Sequence, residues 1–193
     1  MEKSPIADTS QDRFTQIPTG KILLWLIMVS IVMLFAGLTS GYIVRQAESN
    51  WQIFDLPKML DYSTGVIILS SWSLIMGQMA IKKNQTKNLS IFLVITLLLG
   101  IAFCITQFAA WSELVRMGIY FTGNPSGSFL YVLTAIHLAH LVGGIIYLTN
   151  VTIRSLMGSY SADNHLGIEL CGILWHFLGL LWVYLYIFVN VVR

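Results

Sequence analysis

Charge is what this sequence has least of. Only 10% of its 193 residues are Asp, Glu, Lys or Arg, against 56% hydrophobic, where a soluble domain carries about 25% charged residues. With a mean hydropathy of +0.74, the chain could not cover its apolar surface in water. A bilayer removes the conflict, because apolar residues then face outwards. A formal net charge of +2 gives no electrostatic footprint for nucleic acid. The two cysteines, Cys104 and Cys171, stand alone in separate apolar segments. They form no C-x-x-C pair and no metal-ligand spacing, so they read as packing residues. No internal repeat and no Pro- or Ser-rich linker breaks the chain. A secretory signal peptide is not expected either: residues 1–21 form a polar tail, and the first apolar stretch is too long for a signal core and has no A-x-A-like cleavage site.

What is present is a series of uncharged stretches of about 20 residues, the length that crosses a bilayer core as helix. They fall at about 22–44, 62–81, 89–112, 128–153 and 170–192. The fold class expected is therefore all-α: a bundle of five transmembrane helices filling 22–193. Gly123, Asn124, Pro125 and Gly127 read as a loop, placing the start of the fourth helix near Ser128. Connections are short, so function must lie in the helices or at their ends. Lys3, Arg13, Lys21, Lys82, Lys83, Lys87 and Arg154 fall on one side, and Arg45, Lys58, Arg116 and Arg193 on the other. By the positive-inside rule the N-terminus is cytoplasmic and the C-terminus outside.

Small residues at spacings of four or seven mark where helices can approach closely: Gly37 and Gly41 in the first span, Ser73 and Gly77 in the second, Gly172 and Gly179 in the fifth, with Gly143 and Gly144 in the fourth. These are expected to pack helices within the chain.

Polar side chains at membrane depth are costly and are site candidates by default. They are Thr106, Gln107 and Trp111 in the third span, Thr134, His137 and His140 in the fourth, and Trp175 and His176 in the fifth, with Glu169 at its mouth and His165 in the connection before it. At about 1.5 Å per residue, His140 lies roughly 18 Å below the outer start of its span and His176 roughly 9 Å above the inner start of its own. Those depths nearly match, so the two could face each other or share a polar partner. Three readings are open. The histidines hydrogen-bond locally and join helices, or they line a cleft for lipid head groups or water, or two of them flank the iron of a haem b, as in a membrane anchor of a dehydrogenase that binds haem b or quinone. No carboxylate, thiolate or fourth imidazole at membrane depth completes a metal set, and no chain of carboxylates suggests a pump or transporter. No catalysis is expected from this chain alone.

Five fragments, in order, carry a resemblance: Ser30 through Tyr42; Leu69-Ser70-Ser71; Leu99 through Phe103 with Gln107 and Trp111; Leu133-Thr134-x-x-His137-x-x-His140-x-x-Gly143-Gly144; and Leu174 through Trp182. Together they resemble subunit III of the haem-copper respiratory oxidases in its five-helix bacterial form. The resemblance implies a non-catalytic subunit of a terminal oxidase of the aerobic respiratory chain, of cytochrome c oxidase type, in the bacterial inner membrane. It implies the catalytic subunit I and other oxidase subunits as partners, with haem and copper held there, no cofactor on this chain, and phospholipid in an interhelical cleft. His137, His140, Trp175 and His176, with Gln107, Trp111 and Thr134, are then helix-packing and lipid-cleft residues. Three intramembrane acids of the family pattern are replaced here by Ile31, Ala110 and Gly179, although Glu113 lies three residues beyond Ala110. A protonic role tied to those acids does not carry over.

Overall fold

The computed structural model describes residues 19–158, 160 and 165–192. The tail residues before Thr19, and with them Lys3 and Arg13, lie outside this range, as does Arg193. Five helices follow one another: α1 (Thr19–Gln46), α2 (Met59–Lys82), α3 (Thr86–Arg116), α4 (Pro125–Leu156) and α5 (Leu166–Val192), with no strand among the described residues. The shortest has 24 residues, roughly 36 Å at 1.5 Å per residue, and all five are long and apolar enough to span a bilayer. The chain is a multi-pass membrane protein. Its outer faces agree with that solvent: Met33, Val44, Trp72, Ile146 and Leu180 are all more than 60% exposed, which lipid accepts and water does not.

The turns explain the helix ends. Between α2 and α3 only Lys83, Asn84 and Gln85 intervene. Asn84 takes φ 58°, a left-handed conformation that Asn tolerates, and the Gln85 amide returns to Ala80 O at 3.0 Å. After α3, Gly118 adopts φ 79°, its amide donates to Val115 O, and the Ile119 amide donates to Leu114 O. That is the Schellman pattern, in which an achiral residue closes a helix. The start of α4 lies three residues before Ser128. Asn124 is an N-cap whose side chain accepts from the Ser126 amide at 3.0 Å, and Pro125 occupies the first helical turn. Proline is favoured there because its missing N–H would be unpaired anyway. The Asn-Pro-x-Gly run is a helix start rather than a loop. Likewise Thr19–Lys21 belong to α1.

Helices α2, α3, α4 and α5 form a ring in which each packs on the next and α5 closes on α2. Leu60, Ile67, Leu74 and Ile81 recur every seven residues along the buried side of α2, the repeat that keeps one seam facing a neighbour. They meet Leu89, Leu93 and Phe103 of α3, Leu141 and Leu148 of α4, and Trp175, Leu178 and Trp182 of α5. Helix α1 stands outside the ring, against α4 and α5. Its buried residues are few, Leu24, Ile31, Phe35, Thr39 and Tyr42, and they form a single stripe.

Candidate functional site

The polar residues singled out from sequence fall into three settings. The first is the seam between α2 and α5, which run antiparallel. Four side-chain hydrogen bonds cross it in succession. Gln78 Nε2 donates to Ile168 O at 3.5 Å, the Trp175 indole N–H to Ser70 Oγ at 3.0 Å, the Trp182 indole N–H to Thr64 Oγ1 at 3.0 Å, and the Tyr186 hydroxyl to Asp61 Oδ1. Trp175 is 1% exposed and fits a slot floored by glycines. A Cβ at Gly100 of α3 would stand 2.6 Å from its ring edge, and one at Gly144 of α4 would stand 2.9 Å from Leu178 Cδ1. Trp182, Thr64 and Gly100 were not among the sequence candidates. The signal was available: a buried indole needs an acceptor, and Ser70 and Thr64 are placed six apart opposite tryptophans seven apart.

The second setting is the α3–α4 seam. The Trp111 indole donates to Thr134 Oγ1 at 3.0 Å, while the Thr134 hydroxyl donates to Leu130 O at 2.8 Å. One turn along each helix come Gln107 and His137, both 0% exposed. The His137 ring lies 6.4 Å from that of Phe35, 6.0 Å from Phe103 and 5.1 Å from Trp182. It therefore touches α1, α3 and α5 at once. Three aromatic rings, one from each of three helices, surround this imidazole.

The third is the line between α1 and α4. His140 does not turn to His176. Its Nδ1 lies 2.8 Å from Ile136 O, and its ring is 6.0 Å from Phe35. It opens on a groove of ≈ 540 Å³ whose other walls are Leu23, Leu26, Ile27, Ser30, Ile31 and Leu34 of α1. Matching depths did not bring the two imidazoles together, because rise along a helix says nothing about the direction in which a side chain leaves it. His176 is half-buried, and its Nε2 is buried without a hydrogen-bond partner. Thr106 donates to Phe103 O within its own helix.

Helix α1 is held at both ends. Lys21 Nζ meets Glu169 Oε1 at 2.9 Å on α5, and Gln46 Nε2 donates to Val192 O, so α1 and α5 run parallel. Near the latter end Tyr42 packs edge-on against Trp51, Phe129 and Phe188 at 4.7, 5.9 and 5.3 Å.

The glycine expectations divide. A Cβ at Gly41 would stand 3.7 Å from Phe129, and one at Gly77 3.2 Å from Phe92 Cβ; at Gly172 it would collide with the Gln78 amide, and at Gly179 it would lie 3.2 Å from Ser71 Oγ. At Gly37 and Gly143 it would meet nothing within 4 Å. Among the described residues those two pack no helices together, because no described helix lies against the face of α1 or α4 that carries them. Of the three positions where the family pattern has acids, Ile31 and Ala110 are buried among apolar residues, and Gly179 lies at the α2–α5 contact. Among the described residues, no group of three or more His, Cys, Asp or Glu is placed to hold a metal ion.

Residues 17–192 match the family model described as cytochrome c oxidase subunit III. A cytochrome c oxidase subunit 3 from Synechocystis is 34% identical over 85% of this chain and 72% of its own length. A probable cytochrome c oxidase subunit 3 from Nocardia farcinica is 29% identical over 95% of this chain and 92% of its own. A probable quinol oxidase subunit 3 from Staphylococcus saprophyticus is 24% identical over 93% and 92%. With the match running from the start of α1 to the end of α5, the chain belongs to the cytochrome c oxidase subunit III family.

Proposed function

We propose that this chain is the non-catalytic subunit III of an aerobic terminal oxidase of cytochrome c oxidase type, lying in a bacterial inner membrane with its N-terminus in the cytoplasm. Its partner is the catalytic subunit I, with other oxidase subunits, and haem and copper reside there. Phospholipid occupies the α1–α4 groove, its polar head at the Leu23 end and its acyl chain along the apolar wall towards Leu34 and His140. One observation carries the reading: the motif residues shared with the family are engaged in joining helices. Trp111 bonds Thr134, Trp175 bonds Ser70, and His137 is enclosed by three rings. They are therefore structural, and among the described residues His137 is enclosed by rings while His140 opens on the α1 groove, which disfavours the haem b anchor.

The test is a pull-down of the tagged chain in mild detergent, with visible spectra before and after its partners are stripped. Haem a or haem o bands that leave with a large partner are expected, together with phospholipid retained by the stripped chain. A haem b band that stays with the chain and is lost in His137→Gln would overturn the reading.

A further inference from the structure

Two fully buried side chains in the middle of the bundle have no hydrogen-bond partner among the described residues. Neither Nε2 nor Oε1 of Gln107 is paired, and neither ring nitrogen of His137 is, although both residues are 0% exposed. Leaving one buried polar group unsatisfied costs about 1–3 kcal/mol, and in hydrocarbon no solvent offers relief. Unpaired atoms on two side chains in one place call for a shared partner.

Their placement supplies one. Helices α3 and α4 run antiparallel, and two contacts bracket the level concerned: Trp111 with Thr134 at 3.0 Å, and Phe103 with His137 at 6.0 Å. Gln107 lies midway between Phe103 and Trp111 on the buried stripe of α3. His137 follows Thr134 by one turn on the buried stripe of α4. The two therefore stand at the same height on facing stripes, yet no hydrogen bond joins them. Polar groups at one level that make no direct bond call for a molecule that both donates and accepts.

We propose that Gln107 and His137 form an internal binding site for a single ordered water, which bridges the carboxamide of α3 to the imidazole of α4. A neutral imidazole offers one donor and one acceptor, and a carboxamide offers both kinds, so one water can satisfy an atom on each side. The site would pin the α3–α4 register and fix the orientation of the ring against which Phe35 and Trp182 pack. It is independent of the lipid groove and does not require the oxidase assignment.

Two measurements test it on the full-length chain in detergent. The first is a double-mutant cycle of Gln107→Leu and His137→Phe, read by unfolding in graded SDS. Each single substitution should reduce the folding equilibrium about tenfold or more, by leaving the other group unsatisfied, and the double substitution should lose less than the product of the two. Losses that multiply independently would overturn the proposal. The second uses the unaltered protein, so it stands even where a variant fails to fold. With histidine labelled by nitrogen-15, and the His137 signal assigned by its disappearance in His137→Phe, the ring N–H should show a cross-relaxation peak to water that a soluble paramagnet does not quench. The absence of that peak, or a scalar coupling showing a direct bond to the Gln107 amide, would equally overturn it.

Discussion

Gly100 and Gly143 are both helical and both in the middle of the membrane, yet substitution should act on them in opposite senses. A Cβ at Gly100 would stand 2.6 Å from the ring of Trp175, which is wedged among three helices and bonded to Ser70. It cannot yield as the end of a flexible chain would. Gly100→Ala should destabilise the chain by about 1–3 kcal/mol, the usual range for overpacking. Gly143→Ala meets open space and gains helix propensity, so it should be neutral or slightly stabilising. Unfolding midpoints in SDS check both, and equal effects would mean that Trp175 does not fill this slot. Gly37 follows Gly143: Gly37→Leu should leave the isolated chain folded, and should weaken co-purification with a partner only where a partner helix covers that face. The sequence could not make this distinction. Gly37 and Gly41 are four apart and look alike in a helical pattern, but whether a helix lies beyond either depends on which neighbours the chain has there.

At the scale of elements, the attachment of α1 is the weak point, and its two anchors differ in kind. The Lys21–Glu169 pair is partly exposed, with 31% and 44% of the two side chains accessible, and pairs of that kind contribute 0–1 kcal/mol. At the other end Tyr42 makes three edge-to-face ring contacts, each worth about 0.5–1.5 kcal/mol. Between helices in lipid such packing is the main attraction, since no hydrophobic drive operates there. Tyr42→Ala should therefore loosen α1 far more than Lys21→Ala. The unfolding midpoint in SDS should fall clearly with Tyr42→Ala and stay close to that of the unaltered chain with Lys21→Ala. The reverse order would place the main anchor at the ion pair. Much of the element plan was legible: runs of twenty uncharged residues have only one economical conformation in lipid, and five such runs became five helices. What was not legible is azimuth. Rise per residue gave His140 and His176 similar depths, but His140 turns to α1. Nor was the start of α4 visible, because Asn124-Pro125 serves equally as a turn and as a cap-plus-first-turn until the Ser126 amide is seen to bond back.

For the whole molecule the open variable is which way up it sits, and the folded helices sharpen the charge argument. The α1 and α5 N-termini and the α2–α3 turn share one end of the bundle, where Lys21, Lys82, Lys83, Lys87 and Arg154 gather against Glu169. The opposite end carries Arg45, Lys58 and Arg116 beside Glu48, Asp55, Asp61 and Glu113. Acids contribute little to orientation, whereas Lys and Arg near span ends dominate it, so the first end should face the cytoplasm. Cysteine accessibility decides it, because Cys104 and Cys171 are half-buried and buried and should react slowly with an impermeant maleimide. Thr122→Cys, in the exposed α3–α4 connection, should label in intact spheroplasts. Gln85→Cys, in the exposed α2–α3 turn, should label only after lysis. The opposite pattern would invert the protein and place the α1–α4 groove, between Leu23 and His140, in the outer leaflet. The same measurement therefore settles which leaflet supplies any lipid bound beside His140.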